Sequence, residues 1–464
     1  MAKVYLISPP YRHIYKKMNL ERIGVLQPPI GLAYIASFLK SRGHSVKLFD
    51  GMFSKKLFKE IKAHIDEFKP DFVGITVTTP QVTYALRIAE YIKTINPLVK
   101  IILGGPHASA LPEETISNQN LDLVVCGEGE ITMSEIIENK DLDEIKGICF
   151  RENGRAKINP QRPLIEDLDS IPFPLFEQLP LKRYYYVMPD NSITVLSGRG
   201  CPYRCSFCAS GVINQHRYRT RSPSNFVEEL DWIYKRFGIK SFNITDETFT
   251  INHNRVEKIC ELILEKGLPI KWCCTTRPDR LTKQILKIMK ASGCEKIGIG
   301  IESADYKVLK ATGKSINLEQ VADVVLWANE LRIKVAGYFL LGLPYESEST
   351  LEKTLKFSKG LKLDYAHFTM LVPLPGTPIW DMVKEGKILR CKVSEWSDYS
   401  RYNKAIVESD FLPANQLLKY QRRMVRNFYL NAKFIYRSIR KINSFKELST
   451  FLNKGVGIFK IIIT

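Results

Sequence analysis

The chain has 464 residues, of which 45% are hydrophobic and 25% are charged, and its formal net charge is +19. This length and composition predict a folded chain of two or three domains and exclude an extended disordered one. Ten cysteines without an export signal fit a reducing compartment better than a disulfide framework, and no apolar run of about 18 residues spans a membrane, so we expect a cytoplasmic protein.

The first 150 residues alternate short apolar runs with helical patterns. The strand candidates are Lys3 to Ile7, Ser45 to Phe49, Phe72 to Val77, Lys100 to Leu103 and Leu121 to Val125. The helical patterns are Gly31 to Arg42, Lys55 to Phe68, Gln81 to Ile95 and Thr132 to Asn139. Buried strands separated by helices predict a doubly wound, flavodoxin-like parallel sheet, and its ligand should lie beyond the carboxyl ends of the strands.

Unusual residues gather at those predicted strand ends. They are Ser8-Pro9-Pro10, Thr76 to Pro80, Gly104-Gly105-Pro106-His107 and Gly127-Glu128-Gly129-Glu130. A dinucleotide-binding domain is one interpretation, but the first strand-to-helix turn has no G-x-G-x-x-G motif. Gly104 and Gly105, which lack side chains, would let the backbone approach a bulky nucleotide tail.

Three of these segments resemble the cobalamin-binding domain found ahead of radical S-adenosylmethionine (SAM) domains. They are Pro28-Pro29-Ile30-Gly31, Gly104-Gly-Pro-His-Ala108 and Gly127-Glu-Gly-Glu-x-Thr132. The resemblance implies a cobalamin site that includes Thr76, Gly104, Gly105 and Glu128. The D-x-H-x-x-G motif, whose histidine ligates cobalt in methionine-synthase-type domains, is absent, so a lower ligand from that motif is not expected. His107 is either a substitute ligand or a hydrogen-bonding loop residue.

Residues 151–190 interrupt the alternation. Six prolines are scattered there among polar residues, beside the aromatic run Tyr184-Tyr185-Tyr186. Proline at this density excludes a long helix or a central strand. We therefore predict a linker that wraps between domain 1–150 and a second domain.

A second alternation follows, over residues 191–385. Its predicted strands are Ile193 to Ser197, Ser241 to Ile244, Lys271 to Thr275, Lys296 to Ile301, Ile333 to Leu341 and Ala366 to Val372. Its predicted helices are Ser222 to Phe237, Asn252 to Lys266, Thr282 to Ser292, Asn317 to Leu331 and Ser347 to Gly360. Six strands with crossover helices predict a partial (β/α)6 TIM-type barrel, whose chemistry should lie at the carboxyl ends of the strands.

A cysteine loop follows the first of these strands. Cys201, Cys205 and Cys208 are separated by three and then two residues, and three thiolates on one short loop can converge on an iron-sulfur cube. Such a cube would keep one iron open for a small molecule. The alternatives are a zinc site, for which His216 and Cys260 have no paired spacing, and buried structural cysteines.

This spacing, with Phe207 before the third cysteine, resembles that of the radical SAM enzymes. In that family the open iron chelates SAM, and one electron splits SAM into methionine and a 5'-deoxyadenosyl radical. The resemblance implies a [4Fe-4S] cluster on the three cysteines and a SAM site at the strand ends. The residues implied in SAM binding are Phe207, Asp246, Glu247, Glu302, Ser303, Gly337, Gly342 and Leu371.

The resemblance also implies a role for each strand end. Asp246 and Glu247 would accept from the SAM ammonium, and Glu302 and Ser303 would bond the ribose hydroxyls. The fifth strand would lie against adenine, and the turn after the sixth would close the adenine pocket. Acidic residues at helix starts also act as caps, so capping a helix is the alternative role for Asp246. Arg277 would pair either with the SAM carboxylate or with an acidic neighbour.

The C-terminal region, 386–464, is predicted to be a basic helical domain. Its segment from Lys419 to Lys460 holds eleven Lys and Arg against one acid, Glu447. Apolar residues are interleaved with this charge at roughly helical intervals: Phe428, Tyr429, Phe434, Ile435, Ile439 and Ile442. The pattern fits a solvated helical cap on the barrel, an interfacial helix drawn to anionic lipid, or a nucleic-acid contact, which is the weakest because no RNA-binding module is visible.

Joined together, these regions predict a cobalamin-dependent radical SAM enzyme. By resemblance, its commonest chemistry is methylation of an unactivated carbon, here of a small-molecule or lipid-like substrate, with electrons from a reductant such as flavodoxin or ferredoxin. Two alternatives stay open. One is cyclisation, oxidation or carbon-carbon coupling by the same architecture, and the other is a non-enzymatic iron-sulfur redox sensor.

Overall fold

The structure is a computed structural model that describes residues 1–11, 27–188, 191–399, 401 and 404–440. Two separate parallel sheets dominate it, each covered by helices, and the predicted α/β class is confirmed. Apolar residues of the first sheet and of the second belong to one continuous core, so the two halves are packed against each other.

The first sheet has seven strands in the described residues. They are β1 (Lys3–Ser8), β2 (Ser45–Asp50), β3 (Phe72–Thr76), β4 (Lys100–Gly104), β5 (Leu123–Val125), β6 (Ile148–Glu152) and β7 (Arg155–Ile158). Their order is β2-β1-β3-β4-β5-β6-β7, in which β1 to β5 run parallel and the last two pairings are antiparallel. The order reverses between β1 and β3, where a doubly wound sheet binds its ligand.

Helices cover both faces of this sheet. They are α1 (Ile30–Ser41), α2 (Leu57–Phe68), α3 (Val82–Ile95), α4 (Pro106–Ala110), α5 (Pro112–Ile116) and α6 (Glu130–Ile137). Short 3-10 turns lie at Gly51–Phe53, Thr79–Gln81 and Leu142–Glu144. A separate apolar core beneath α2 and α3 includes Ile61, Ile88 and Ile101, which are all fully buried.

The segment after β5 extends the sheet further than the sequence suggested. The hairpin of β6 and β7 carries the fold to Ile158, inside the predicted linker. Over the described residues 159–188 that follow, the structure has only 3-10 turns at Leu168–Ser170 and Phe176–Gln178 and the short helix α7 (Leu181–Val187). These short elements agree with the prediction that the prolines of this segment exclude a long helix or a central strand.

The second sheet is built from six parallel strands. They are β8 (Ile193–Val195), β11 (Ser241–Ile244), β12 (Lys271–Thr276), β13 (Cys294–Glu302), β14 (Lys334–Leu341) and β15 (Tyr365–Met370), in the order β15-β14-β13-β12-β11-β8. A two-stranded ribbon, β9 (Gly198–Arg199) and β10 (Arg219–Thr220), follows β8. Sequential order with crossover helices is the arrangement of a partial barrel.

The barrel helices alternate with these strands. They are α8 (Ser210–Asn214), α9 (Pro223–Phe237), α10 (His253–Glu265), α11 (Lys283–Ala291), α12 (Tyr306–Ala311), α13 (Leu318–Glu330), α14 (Glu348–Gly360) and α15 (Pro378–Glu385), with a 3-10 turn at Pro278–Arg280. Seven of them begin directly after a capping side chain that accepts from the first turn: Ser222, Asn252, Thr282, Asp305, Asn317, Ser347 and Thr377.

The C-terminal region packs on the last barrel strands. It has β16 (Arg390–Cys391), β17 (Val407–Glu408), a 3-10 turn at Trp396–Asp398, α16 (Ala414–Tyr429) and α17 (Ala432–Arg440). Leu417, Met424 and Phe428 of α16 are buried against the core, so this helix is a cap on the barrel. Within the part of the chain that the structure describes, no helix is both long and apolar enough to cross a membrane.

Candidate active site

The cysteine loop lies at the carboxyl edge of the second sheet, directly after β9. Cys201 and Cys205 are half-buried, Cys208 is exposed, and all three are free thiols. Burial raises the pKa of Cys205, and the neighbouring Cys201 raises it further. The three cysteines lie on one short loop, and their role as cluster ligands stays a prediction.

The donor set of this loop fits an iron-sulfur cluster better than a single metal ion. Within the described ranges, no three His, Cys, Asp or Glu side chains converge closely enough to hold one ion. A cube places each cysteine on a different iron, so its sulfurs surround the cluster rather than meet at one point. Three adjacent free thiols match a cluster that keeps one iron open.

Backbone contacts fix the loop against the rest of the barrel. The Ser206 N–H donates to the Thr312 carbonyl at 2.9 Å, and the Ser206 carbonyl accepts from the Ile379 N–H at 3.1 Å. Gly200, just before Cys201, has φ +85°, and a Cβ there would lie 2.0 Å from the Arg217 carbonyl oxygen. Only glycine fits this entry to the loop.

Two arginines hold the middle of the loop through Tyr203. The Arg277 guanidinium lies 3.7 Å from the centroid of the Tyr203 ring, and Arg280 Nε donates to the Tyr203 hydroxyl at 2.5 Å. Arg277 also pairs with Asp279 at 2.9 Å. Of the two roles considered for Arg277, the structure shows the pairing with an acidic neighbour.

The end of β11 borders the cysteine loop. Glu247 accepts from the Gly200 N–H at 3.0 Å and from the Ser210 hydroxyl at 3.1 Å. The Thr248 hydroxyl lies 3.7 Å from Cys201 Sγ. Glu247 therefore lies beside the first cysteine, whereas Thr248 was not singled out from the sequence because a lone hydroxyl has no spacing signal.

An ion pair lies on the other side of the loop. Glu302 ends β13 with φ +66°, and its Oε1 is 2.7 Å from Lys314 Nζ. Both side chains are mostly buried, and Lys314 acts against burial to lower the pKa of Cys205. Lys314 was not predicted, because it belongs to a short turn after α12 and no motif marks it.

The predicted apolar contacts also come together. Phe207 packs against an apolar cluster that includes Leu371, Val308 and Leu343, so the residue before the third cysteine and the turn after β15 belong to one cluster. Gly342, the residue directly after β14, has φ +91°, where glycine avoids strain.

Three other predicted SAM residues have internal contacts instead. Asp246 is buried and accepts from the Ser197 N–H at 2.8 Å and its hydroxyl at 2.6 Å. Ser303 is fully buried and accepts from the Asp305 N–H. A Cβ at Gly337 would lie 2.8 Å from the Leu363 side chain, so this glycine permits close packing. Their SAM contacts stay predictions.

The predicted cobalamin residues of the first sheet lie at one edge. Thr76 ends β3 directly beside Gly104, the last residue of β4. Gly105 has φ +103°, and a Cβ there would lie 2.7 Å from the Val77 carbonyl oxygen and 3.0 Å from Thr76 Oγ1. Thr76, Gly104 and Gly105 thus lie close together at the ends of two neighbouring strands, where the two glycines expose the backbone.

Glu128 and His107 lie near this turn but face protein groups. Both carboxylate oxygens of Glu128 accept from arginines of the barrel, Arg199 and Arg219. His107 is 1% exposed, its ring packs against Trp396, and burial lowers its pKa to about 4. His107 is therefore a buried residue of α4, and its two interpretations, like the direct cobalamin contact of Glu128, stay predictions.

The ligand edges of the two sheets face each other. Helix α4, which follows Gly105, packs against α8, which follows Cys208. At this contact, a Cβ on Gly376 would lie 2.9 Å from Val212 of α8 and 3.4 Å from Ala110 of α4. A ligand on the first sheet and a ligand on the cysteine loop would therefore be neighbours.

Comparison with protein families matches both halves of the chain. The B12 binding domain matches residues 16–137, and the Radical SAM superfamily matches residues 195–358. An uncharacterized methyltransferase of Pyrococcus horikoshii is 34% identical over 96% of both chains. The chain belongs to the cobalamin-binding radical SAM family.

Solved structures share the same fold. The radical SAM methyltransferase TsrM from Kitasatospora setae aligns with a TM-score of 0.76 and 17% identity over 99% of both chains. The cobalamin-dependent radical enzyme OxsB aligns with the same score and 19% identity, over 99% of this chain and 72% of its own. Both N-terminal sheet and partial barrel are therefore found together in other members of the cobalamin-binding radical SAM family.

Membership confirms the predicted class of enzyme and its cofactors. This cobalamin-binding radical SAM protein is an enzyme, and a [4Fe-4S] cluster, SAM and cobalamin are the cofactors of its family. The alternative of a non-enzymatic redox sensor is therefore no longer needed. The match also confirms the interpretation of the first domain as cobalamin-binding rather than dinucleotide-binding.

Proposed function

We propose that this enzyme methylates an unactivated carbon of a small-molecule or lipid-like substrate. The observation that carries the proposal is the contact between α4 and α8, which places the cobalamin edge of the first sheet against the cysteine loop. When bound, the cluster and SAM supply a radical that removes a hydrogen atom, and cobalamin supplies the methyl group. Methyl transfer needs these two centres to share one substrate.

The protein's own residues would hold the cofactors in this arrangement. We propose that Cys201, Cys205 and Cys208 hold the cluster, and that Glu247, Glu302 and the apolar cluster of Phe207 and Leu371 border SAM. Thr76 with Gly104 and Gly105 would form the floor of the cobalamin site. Burial of the site between two sheets would exclude water from the reacting groups.

A second candidate function has its own support. The anaerobic magnesium-protoporphyrin IX monomethyl ester cyclase of Rubrivivax gelatinosus is 27% identical over 92% of this chain and 79% of its own. Relatives of this architecture thus bear names of cyclases as well as methyltransferases. Ring formation by this enzyme would use the same cysteine loop but would leave no added methyl group in the product.

One experiment separates these functions. Anaerobically reconstituted enzyme with SAM, hydroxocobalamin and a reductant would be incubated with metabolite and lipid extracts from cells that lack the protein. A methyltransferase yields 5'-deoxyadenosine together with a product one CH2 unit heavier than its substrate, and deuterated SAM labels that product. A product without the label would contradict methylation and favour ring formation or oxidation.

We expect an acidic one-electron carrier, such as flavodoxin or ferredoxin, to dock beside α12. Lys307 and Lys310 are exposed on this helix, Tyr306 is 57% exposed, and Thr312 just after it binds the cysteine loop. The Lys307→Glu/Lys310→Glu variant should lower flavodoxin-driven 5'-deoxyadenosine formation about tenfold at low salt, because opposite charges accelerate association.

The matched control reverses two exposed lysines on and before α2, in the Lys55→Glu/Lys59→Glu variant, which has the same net charge. Both variants should retain the wild-type rate with dithionite, which needs no docking surface. Equal flavodoxin-driven rates in the two variants would contradict docking at α12. Absence of 5'-deoxyadenosine from wild type with dithionite would instead contradict the radical SAM activity.

We also propose that α17 contacts anionic lipid. Its Tyr436 and Ile439 are 64% and 55% exposed, and Lys433 lies exposed on the same short helix. An apolar face next to basic side chains is typical of interfacial helices. The rest of the basic segment, including Ile442, lies outside the described residues.

Vesicle sedimentation tests this contact. Wild type should sediment with phosphatidylglycerol vesicles and stay in solution with phosphatidylcholine vesicles. The Tyr436→Asp/Ile439→Asp variant should sediment several-fold less with phosphatidylglycerol vesicles. The Leu264→Asp/Leu326→Asp variant is the control, because these leucines are 52% and 46% exposed on α10 and α13. Equal sedimentation of both variants would contradict a lipid contact at α17.

A further inference from the structure

A cluster of four charged side chains joins the two halves of the enzyme. Arg199 Nη1 is 2.7 Å from Glu128 Oε1, and Arg199 Nη2 is 2.7 Å from Glu130 Oε1. Arg219 Nη1 is 2.8 Å from Glu128 Oε2. We call these four residues the interdomain clasp. The glutamates belong to the first domain and the arginines to the β9-β10 ribbon of the barrel.

The clasp is almost fully withdrawn from solvent. The side chains of Glu128, Glu130 and Arg219 are 4–5% exposed, and that of Arg199 is 16% exposed. Burial acts to raise the pKa of Glu128, but the two arginines outweigh it and leave the pKa below its ordinary value. The carboxylate is therefore ionised inside the interface, where each charge depends on its partners.

All acceptor positions of Glu128 are taken by the protein. Oε1 also accepts from Arg219 Nη2 at 3.2 Å, and Oε2 also accepts from the Ile165 N–H at 2.9 Å. Arg219 in turn donates to the Ile165 carbonyl at 2.6 Å. Glu128 thus binds the barrel and the linker at once.

A second group of contacts extends the clasp to α1. The Arg199 guanidinium lies 5.4 Å from the centroid of the Tyr34 ring. The Tyr34 hydroxyl accepts from Arg221 Nη1 at 3.3 Å and lies 3.5 Å from Glu229 of α9. Helix α1 and the loop after β5, which flank the ligand edge of the first sheet, are thereby both tied to the barrel.

In the sequence, the clasp residues are also close to both cofactor edges. Glu128 is three residues beyond Val125, the end of β5, and Arg199 is two residues before Cys201. Gly200, between Arg199 and Cys201, is held by Glu247. Any rotation of the first domain against the barrel would therefore move the clasp and the entry to the cysteine loop together.

Buried ion pairs of this type contribute more to geometry than to stability. Desolvation of the charges offsets much of their attraction, so an apolar contact of equal size would hold the domains at least as well. Forked arginine-carboxylate pairs, however, fix both distance and orientation. The chemistry of this enzyme needs such control, because a displacement of about 1 Å can reduce a reaction about 100-fold.

We propose that the interdomain clasp is a positioning device that sets the distance and orientation of the cobalamin site relative to the cluster and SAM site. The inference rests on the proposed function and extends it. With the clasp intact, a substrate radical formed at the barrel edge meets the methyl donor of the first domain. With the clasp loosened, hydrogen abstraction continues but methyl transfer falls behind.

Two variants test the clasp. Arg199→Lys keeps the charge but loses the fork that joins Glu128 to Glu130, and Glu128→Gln removes one charge without changing size. Each should raise the ratio of 5'-deoxyadenosine to methylated product by about 10-fold or more, with an unchanged KM for SAM. Asp122→Asn is the control, because it breaks a partly buried pair with Lys93 inside the first domain.

A second readout needs no substrate. In the fully loaded enzyme with reduced cluster and cob(II)alamin, the two paramagnetic centres relax each other according to their separation, which pulsed electron paramagnetic resonance measures. Both clasp variants should change or broaden this coupling, and the Asp122→Asn control should not. Unchanged coupling with an unchanged product ratio in Arg199→Lys and Glu128→Gln would overturn the proposal.

Other outcomes also decide between the roles. If Glu128→Gln loses cobalamin affinity while its coupling stays normal, Glu128 contacts cobalamin directly and the positioning role is overturned. If Glu128→Gln does not fold, Arg199→Lys alone decides, because it keeps the charge balance. If no substrate is methylated even by wild type, altered coupling in the variants would still support the clasp while methylation itself would fail.

Discussion

Replacing Cys205 with alanine is expected to abolish 5'-deoxyadenosine formation and to leave the fold intact. Cys205 is the central thiol of the loop and would hold one iron of the cluster. The side chain is only half-buried, so its loss should change the free energy of unfolding of the apoprotein by less than about 1 kcal/mol. Iron and sulfide content, visible absorption and chromatography of the nucleoside product measure the effect.

The matched control is Cys391→Ala. Cys391 is also a free, half-buried thiol, but it lies in β16, outside the cysteine loop. This variant should retain wild-type iron content and SAM cleavage. Cleavage of SAM by Cys205→Ala at the wild-type rate would show that the three cysteines are not the cluster ligands, and the account of the active site would then fail.

Helix boundaries in the barrel follow from short polar signals in the sequence. The predicted helices began at Ser222, Asn252 and Thr282, and in the structure each of these residues is the cap that precedes its helix. The polar capping residue belongs to the sequence pattern that marks a helix start, but its own backbone is extended, so the helix begins at the next residue. The prediction was therefore one residue early for a physical reason.

The sequence of the β6-β7 hairpin contains a turn signal that the nearby prolines obscure. Asn153 and Gly154 connect the two strands, with φ values of +50° and +77°. An Asn-Gly pair with two positive φ angles is the favoured turn of a tight hairpin. The nearby prolines led to the prediction of a linker from residue 151, whereas the sheet continues to Ile158.

Long-range partners explain what could not be predicted of the site. The cysteine spacing is local, so Cys201, Cys205 and Cys208 were identified from a single segment. Glu128, by contrast, meets Arg199 and Arg219 across 71 and 91 residues. A glutamate in a glycine-rich loop has the same sequence pattern whether it faces a ligand or another domain. Only the packing of the two domains determines which of these it contacts.

A buried carboxyl group at the end of β14 should make stability depend strongly on pH. Glu346 is 1% exposed, and its Oε2 accepts from the Gly342 N–H at 2.6 Å and the Leu343 N–H at 3.3 Å. Its Oε1 is buried without a hydrogen-bond partner. Burial, with a smaller contribution from Asp305, raises the pKa of Glu346 to about 8.

The sign of the effect follows from proton binding. The unfolded chain holds this carboxyl at an ordinary pKa near 4.5, so between that value and about 8 the folded protein binds the extra proton. The contribution of Glu346 is fully present at low pH and is lost as pH rises through 8. Over this window the free energy of unfolding should fall by about 5 kcal/mol from this group alone.

Glu346→Gln tests this directly, because glutamine has the shape of the protonated acid. Its amide oxygen can accept from Gly342 and Leu343 as before, and it cannot ionise. Urea unfolding of the apoprotein at pH 6 and pH 9 should show a large loss of stability in wild type and a much flatter dependence of stability on pH in the variant.

Glu348→Gln is the control, since Glu348 begins α14 near the surface and accepts hydrogen bonds from Gln416 and Tyr420. If wild type and Glu346→Gln lost equal stability between these pH values, Glu346 would be ionised in the folded enzyme, and an unrecognised cation or water would have to lie beside Oε1.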